Sequence, residues 1–567
     1  MTNNRLTTKV MRLAKSILLF YLFTFLPISA FAQISKNVTV DSVGQLSKKI
    51  EANEKFTISE LKVSGPLNAT DVKLLQQIVN RTKANDKKGE CLVTSIDISE
   101  AVFTDGKEAK PTTSLPAGLF SGAKQLLKVV LPPNITSISR SCFDGCSSLP
   151  EVQIPETVTT IGDQAFQGCE ALTVIVIPQN VNNIGNEAFE NCKALTSIEI
   201  PENITELGTE VFNGCKALAS VNIIGKIKKI GNSTFKGCES LTSIDLPDNT
   251  DEIGNSAFED CSGLARIEMS NVNKVGSNAF EDCKNLTTAT FERLSKLGSG
   301  AFKNCTALTT VNIQGSLDEI SSNTFLGCSS LSSISLPSNI KVIGNSAFEN
   351  CQSLAEFDFP VSLTKIGSGT FEGCSNLREA IIPNMVKSIG SSAFEGCVTL
   401  DSVCIIGFVQ EIDSKTFLKC NALRSIILPA SVKKIGTKAF QECTTLQTID
   451  LPVALTSIGD DAFEKCASLQ SIKLPTAVTS IGSDAFLECT MLSNVELSVA
   501  LKKIGGEAFA KCPSLREVIL NSPTPPTIAK STFKDVVSCT FWLPKNSKTL
   551  YMANKEWVKV YVLKEKE

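Results

Sequence analysis

Cysteine is the residue type with the most potential for chemistry in this chain, which has 567 residues, 21 Cys and no His. The absence of His excludes Ser-His-Asp and Cys-His nucleophiles, His general bases and His metal ligands. Seventeen Cys share one spacing, three residues after a Phe, from the pair Phe143 and Cys146 to the pair Phe509 and Cys512. Side chains stacked in one phase have parallel Cβ vectors, which suit disulfide geometry poorly. We therefore interpret these Cys as small buried apolar residues packed beside Phe.

Four further cysteines lie outside that spacing: Cys91, Cys142, Cys404 and Cys539. No Cys-x-x-Cys motif is present, and a ladder keeps its thiols too far apart for a zinc site. A disulfide that involves Cys91 or Cys539 stays open, because exported proteins can form them.

Carboxylates could support chemistry without His, since a pair of them is sufficient for glycoside hydrolysis. Here, however, Asp and Glu recur at repeat positions that face solvent, and the chain has neither a P-loop nor a G-x-G-x-x-G motif. The net charge is −3, from 55 Lys and Arg against 58 Asp and Glu, which gives no reason to expect nucleic acid binding. We predict no enzymatic activity, no cofactor and no metal.

An internal repeat must position all of these residues. Phe recurs every 23 residues, with two steps of 22 and a last step of 24, from Phe120 to Phe533. Such a period predicts a solenoid whose units bury their apolar residues only by stacking. In the unit 195–217, Leu195-x-x-Ile198-x-Ile200 predicts a half-buried strand, and a second short extended segment precedes Gly208 and a helical turn.

Two details of that turn can be predicted from residue type. We expect Gly208 and its equivalents to favour a positive φ. We expect the Asn, Ser or Asp that follows the Gly in many units to act as a helix N-cap, as at Asn186, Asn255, Ser368 and Asp460.

The unit L-x-x-I-x-I-P-x-x-I-x-x-I-G-x-x-A-F-x-x-C resembles the BspA-like leucine-rich repeats of secreted and surface proteins of mucosal bacteria. Residues 57–79 with 95–101 are similar to the N-terminal cap of such proteins, and residues 541–560 to the C-terminal cap. The resemblance implies a right-handed arc with a parallel β-sheet on its concave face, and a short second strand and short helical turns on the other side. It implies binding or adhesion rather than catalysis.

The ends of the chain differ from the repeats. Four basic residues precede the apolar run Ile17 to Phe25, and Ala30 and Ala32 give the A-x-A pattern of a cleaved export signal. No later stretch is long and apolar enough to cross a membrane, so we expect an exported protein that is extracellular, on the cell surface or periplasmic. The predicted domains are a signal peptide (1–32), an N-terminal cap (33–114), a solenoid of about 18 units of 22–23 residues (115–520) and a C-terminal cap (521–567).

The third and fifth residues of each L-x-x-I-x-I strand should point away from the core, and we call the surface they form the strand face. Across 18 strands it carries three basic residues, Lys128, Arg266 and Lys473, and ten acidic ones. The acidic residues are Glu151, Glu199, Asp245, Glu268, Glu356, Asp358, Glu379, Asp450, Glu496 and Glu517. This mildly acidic face should repel nucleic acid and favour a basic patch on a partner.

One stretch of the strand face is apolar. The fifth positions of five successive units are Asp358, Ile381, Cys404, Ile427 and Asp450. An apolar centre with a charged rim is typical of a protein-binding hot spot, and Glu356 and Glu379 at third positions extend the rim. The alternatives are chance variation in strand composition, or cover by a neighbouring loop.

The sequence therefore favours a secreted or cell-surface protein that binds another protein through its concave face. The partner would be a component of a host or neighbouring cell surface, and the chain would be a monomer. Two alternatives stay open: a glycan-binding protein or carboxylate-based glycan-processing enzyme, and a structural component of a surface layer.

Overall fold

A computed structural model describes residues 34–80, 93–105, 110–560 and 562–566. The chain winds into a parallel-strand solenoid of about 22 turns, which confirms the predicted fold class. In a typical turn, Leu195, Ile198 and Ile200 point into the core, while Ser197 and Glu199 point to solvent. This alternation, repeated in register from turn to turn, is the reason that the turns stack as parallel strands.

Most turns contribute to two sets of parallel strands. The first set forms the strand face: Ser35–Thr39, Glu60–Leu67, Ser95–Asp97, Lys128–Val130, Ser197–Ile200, Ser220–Ile223, Ser243–Ile244, Arg266–Ile267, Thr288–Leu294, Thr310–Gly315, Ser333–Ser335, Glu379–Ile382, Ser402–Ile405, Ser425–Ile427, Ser471–Lys473, Asn494–Leu497, Glu517–Leu520, Thr540–Leu543 and Val562–Glu565. The second set consists of two-residue strands: Ser114–Leu115, Ser137–Ile138, Thr160–Ile161, Asn183–Ile184, Lys229–Ile230, Glu252–Ile253, Lys274–Val275, Lys296–Leu297, Glu319–Ile320, Val342–Ile343, Lys365–Ile366, Ser388–Ile389, Glu411–Ile412, Lys434–Ile435, Ser457–Ile458, Ser480–Ile481 and Lys503–Ile504.

The few helices lie near the two ends. They are the α-helices Leu46–Lys49, Ala69–Val79 and Lys548–Ala553 and the 3-10 helices Glu54–Phe56 and Trp557–Lys559. A further strand, Ala101–Phe103, pairs with the end of Glu60–Leu67. The first strands of the chain continue the same parallel sheet as the repeats, since Ser95–Asp97 pairs with Lys128–Val130.

The segment around each repeat Phe is only partly helical. Cys169 N–H donates back to the Phe166 carbonyl (3.2 Å), as in a helical turn, but Phe166 N–H donates forward to the Ala188 carbonyl of the next turn (2.7 Å). Gln164 has a positive φ (57°), which allows alternate N–H groups to point toward the next turn. The predicted helical turn is therefore a third line of hydrogen bonds between turns.

The expected N-caps have a different role. Asn186 Oδ1 accepts a hydrogen bond from Thr209 N–H in the following turn (2.9 Å), and Asp460 Oδ1 accepts one from Ser483 N–H (2.7 Å). These side chains link neighbouring turns rather than cap a helix, so the N-cap prediction was wrong.

The glycine prediction was also wrong in its reason. Gly162 and Gly208 do not have positive φ; a Cβ at Gly162 would lie 2.8 Å from the Arg140 backbone N, and one at Gly208 2.7 Å from Asn186 Oδ1. Glycine is needed here because the preceding turn approaches so closely that a side chain has no room.

A continuous stack of Phe rings occupies the centre of the core. Neighbouring rings from Phe120 to Phe533 lie 5.0–5.6 Å apart between centroids. Beside the stack, each ladder thiol donates to the carbonyl of the Phe one turn back, as Cys146 Sγ does to Phe120 O (3.2 Å). The prediction that these Cys are buried and unpaired is confirmed, and the thiol hydrogen bond explains why Cys, rather than Ala, recurs there.

The last ring of the stack, Phe533, is closed off by C-terminal aromatic residues. Trp557 lies 6.1 Å from Phe533 between ring centroids and donates from Nε1 to the Pro526 carbonyl (2.7 Å). Tyr551 contacts Trp557 edge-on and donates to the Ser522 carbonyl (2.9 Å). Both side chains are fully buried, so their polar atoms need these partners.

Candidate binding surface

The apolar part of the strand face is built by three adjacent strands, Glu379–Ile382, Ser402–Ile405 and Ser425–Ile427. The strand register places Ile381 directly beside Cys404, and Cys404 beside Ile427. Ile381 is 52% exposed and Ile427 63%, while Cys404 is half-buried between them. The structure thus brings these three predicted residues together on one surface and does not cover it with a loop.

The flanking acids lie where the sheet is interrupted. Asp358 belongs to residues 354–360 and Asp450 to residues 446–452, and neither segment forms a strand. At the first interruption, Phe357 and Phe359 occupy the inward positions and pack edge-on against Phe371 of the stack. The strand-face sheet is therefore interrupted at both of these turns.

A depression of about 740 Å³ lies at the first interruption. Its lining includes four of the predicted residues, Glu356, Asp358, Glu379 and Ile381, together with Arg378. Cys404 and Ile427 lie on the next two strands, and Asp450 lies outside the depression. The seven predicted residues therefore belong to one surface, but only four of them surround one depression.

Sequence reasoning missed the apolar margin of this surface. Ile406 also lines the depression, and next to it Phe408 is 74% exposed, the only Phe among the exposed large apolar residues of the described chain. Phe408 N–H donates to the Val386 carbonyl (2.9 Å), which fixes the loop against the previous turn. The sequence did contain a signal for this margin. The Pro that follows the strand in most units is missing here, a Gly (Gly407) stands one residue later, and the next residue is a Phe outside the repeat spacing.

The thiols of the ladder are not chemically available. Burial raises the pKa of Cys146 and of Cys215 to about 12, so that both stay protonated near neutral pH. Cys142, Cys404 and Cys539 are free thiols, and Cys91 lies outside the described residues.

Two other classes of site are absent from the described ranges. No three Cys, Asp or Glu side chains there are placed to hold one metal ion. None of the helices there is both long and apolar enough to cross a bilayer. The predicted signal peptide, 1–32, lies outside those ranges.

Comparison with known proteins decides the family. The family model described as "BspA type Leucine rich repeat region (6 copies)" matches residues 113–239, 208–330, 295–424 and 410–540. The chain belongs to the BspA-type leucine-rich repeat family. Leucine-rich repeat proteins are generally non-enzymatic binding scaffolds. No protein of curated function matches this BspA-type chain.

Solved structures of several bacterial leucine-rich repeat proteins are similar to it. One from Bacteroides ovatus is 28% identical over 74% of this chain and 92% of its own, with a TM-score of 0.50. The Treponema pallidum protein TpLRR is 29% identical over 36% of this chain and 78% of its own, with a TM-score of 0.26. A leucine-rich cell surface protein from Faecalibacterium prausnitzii is 23% identical over 67% of this chain and 88% of its own, with a TM-score of 0.27.

Proposed function

We propose that this BspA-type protein is exported and binds another protein through the strand face. The contact is centred on the apolar residues Ile381, Cys404, Ile427, Ile406 and Phe408, which we call the central zone. Ile381, Cys404 and Ile427 carry the proposal, because they lie side by side on adjacent turns where most of the face is polar. Export is supported by the A-x-A signal pattern at the N-terminus.

The energetic case rests on the side chains that are still exposed. Complete burial of an Ile side chain contributes about 1.5–3 kcal/mol, so the remaining exposed parts of Ile381 and Ile427 can contribute about 2–3 kcal/mol together. Phe408, with most of its ring exposed, can contribute a similar amount. Such a cluster is sufficient to anchor a complex, whereas the polar remainder of the face would provide complementarity.

Charge defines the partner further. Glu356, Asp358 and Glu379 surround the depression beside the central zone, and Arg378 is the one basic residue in its lining. Arg424 is paired with Asp401 (3.4 Å), so it adds no free positive charge. A partner surface with apolar side chains inside a rim of Lys or Arg is therefore complementary to this site.

The test replaces the two Ile by charged residues. Purified protein carrying Ile381→Glu and Ile427→Glu is compared with the unchanged protein for capture of proteins from host and bacterial surface fractions. We expect at least one captured protein to be lost, because two buried carboxylates would face the apolar side chains of the partner. Circular dichroism should be unchanged, since both side chains lie outside the core.

A matched control adds the same charges elsewhere on the strand face. Thr288→Glu plus Thr290→Glu alters two exposed residues of one strand in a wholly polar part of the face. This control should retain the captured protein. Equal capture by all three proteins would show that the central zone is not the binding site.

A further inference from the structure

The strand face has a second apolar zone, toward its N-terminal end. Val174 and Val176 occupy the third and fifth positions of one turn and are 52% and 71% exposed. They line a depression of about 390 Å³ together with Glu156 and Glu199. We call these four residues the N-terminal zone.

A long polar stretch separates the two zones. From the turn that begins at Leu195 to the turn that begins at Leu331, the outward positions hold only Ser, Thr, Asn, Asp, Glu and Arg. Val176 and Ile381 lie nine turns apart, so a strand spacing of about 4.8 Å separates them by roughly 43 Å. The two zones cannot therefore be parts of one contiguous apolar patch.

The zones nevertheless share their chemistry. Each has exposed aliphatic side chains, Val174 and Val176 in one and Ile381, Ile406 and Ile427 in the other. Each has glutamates in the lining of a depression. The N-terminal zone lies at an interruption of the strand-face sheet, since Val174 makes only an isolated bridge to Glu151, and the central zone lies beside the interruption at residues 354–360.

We infer that the strand face binds the same type of polypeptide motif twice, once at each zone. The motif is an apolar side chain flanked by Lys or Arg, because both depressions are lined by apolar side chains together with carboxylates. A partner that carries the motif twice is then held at both zones, which strengthens binding without any new contact. This inference rests on the proposed function of the central zone.

The test selects the motif without assuming a partner. A phage-displayed library of random 12-residue peptides is panned on the purified protein, and an enriched peptide is synthesised and titrated by calorimetry. We expect enriched peptides to be rich in Lys or Arg and aliphatic or aromatic residues and poor in Asp and Glu, and two peptides to bind each chain.

Paired variants then locate the two sites. Val174→Ser plus Val176→Ser should leave one bound peptide per chain, and so should Ile381→Ser plus Ile427→Ser. The variant with all four changes should bind none, whereas Thr288→Ser plus Thr290→Ser should still bind two. Serine is used because it removes the apolar contact without adding charge.

The outcomes separate this inference from the proposed function. If only the Ile pair abolishes binding, at a stoichiometry of one, the second site is refuted and the central zone stands. If only the Val pair does so, the central zone is refuted as a peptide site. If selected peptides are acidic, or bind all variants equally, both proposals are wrong.

Bivalency is measured with a tandem peptide. A Gly/Ser linker of about 60 residues has an average span close to 43 Å, which matches the separation of the zones. Two copies of the selected peptide joined by this linker should bind the unchanged protein at least tenfold more tightly than one copy. Against either pair variant the gain should fall to the twofold statistical factor; an unchanged gain would refute simultaneous binding.

Discussion

Removal of one ring from the middle of the Phe stack should destabilise the protein strongly. Phe325 is fully buried and stacks on Phe302 (5.6 Å) and Phe348 (5.3 Å). Replacement of a buried Phe by Ala costs about 3–5 kcal/mol, and the loss of two ring contacts places Phe325→Ala toward the upper end of that range. Phe408→Ala is the matched control: it makes the same change at an exposed ring and should cost less than about 0.5 kcal/mol.

Urea unfolding provides the measurement, because circular dichroism reports on all turns and Trp fluorescence reports mainly on the C-terminal end, where Trp557 is buried. Since each turn contacts only its neighbours, Phe325→Ala should lower the midpoint seen by circular dichroism more than that seen by fluorescence. A loss below about 1 kcal/mol for Phe325→Ala, or an equal loss for Phe408→Ala, would refute the strong stabilisation that we assign to the buried stack.

Three further predictions concern the turns. Gly505→Ala should lower the free energy of unfolding by about 1–3 kcal/mol, and the melting temperature with it, because the new Cβ would overlap the backbone of the preceding turn. Gly506→Ala is the control, since its Cβ would lie 3.4 Å from the nearest atom and should leave the melting temperature unchanged. Equal effects of the two substitutions would contradict the close-approach argument. Of the described thiols, only Cys404 should react with a disulfide reagent in the folded protein at pH 8. Cys404→Ser should therefore remove one reactive thiol per chain. Labelling of the ladder thiols before the protein unfolds would contradict the burial of those thiols. Burial, and then repulsion from carboxylates on neighbouring turns, raises the pKa of Glu372 in the folded state, so ionisation of this side chain lowers stability above the folded pKa and has no effect below the unfolded pKa. The Glu372→Gln protein should therefore unfold at a higher urea concentration than the unchanged protein at pH 7, and at the same concentration at pH 3. A stability gain that persists at pH 3 would refute this cause.

The sequence was sufficient to predict the solenoid, because its evidence lies within single units. The alternation of Leu195, Ile198 and Ile200 and the Phe-x-x-Cys spacing determine which side chains are buried, and stacking follows from the period. The register of Ile381, Cys404 and Ile427 was predictable for the same reason, since equivalent positions of successive units become neighbours.

How closely the turns approach, and which polar groups pair across them, was not predictable. Gly208 looked like a left-handed position within its own turn, but the residue that excludes a side chain there is Asn186 of the previous turn. Likewise, the sequence indicated that Asn186 is a helix N-cap, but its hydrogen-bond partner in the structure is Thr209 of the next turn, 23 residues away. Phe408 was missed because irregular loops follow no period, so its exposure depends on the path of one loop.

Site-specific photo-crosslinking tests the central claim most directly. A benzophenone amino acid in place of Phe408 lies at the margin of the central zone, and the same group in place of Thr290 lies on the polar part of the strand face. If the central zone holds a partner, irradiation in the presence of surface fractions should crosslink a distinct protein from position 408 and not from position 290. That crosslink should disappear when Ile381→Glu and Ile427→Glu are added. Identical crosslinks from both positions, or a crosslink that survives the two substitutions, would contradict binding at the central zone.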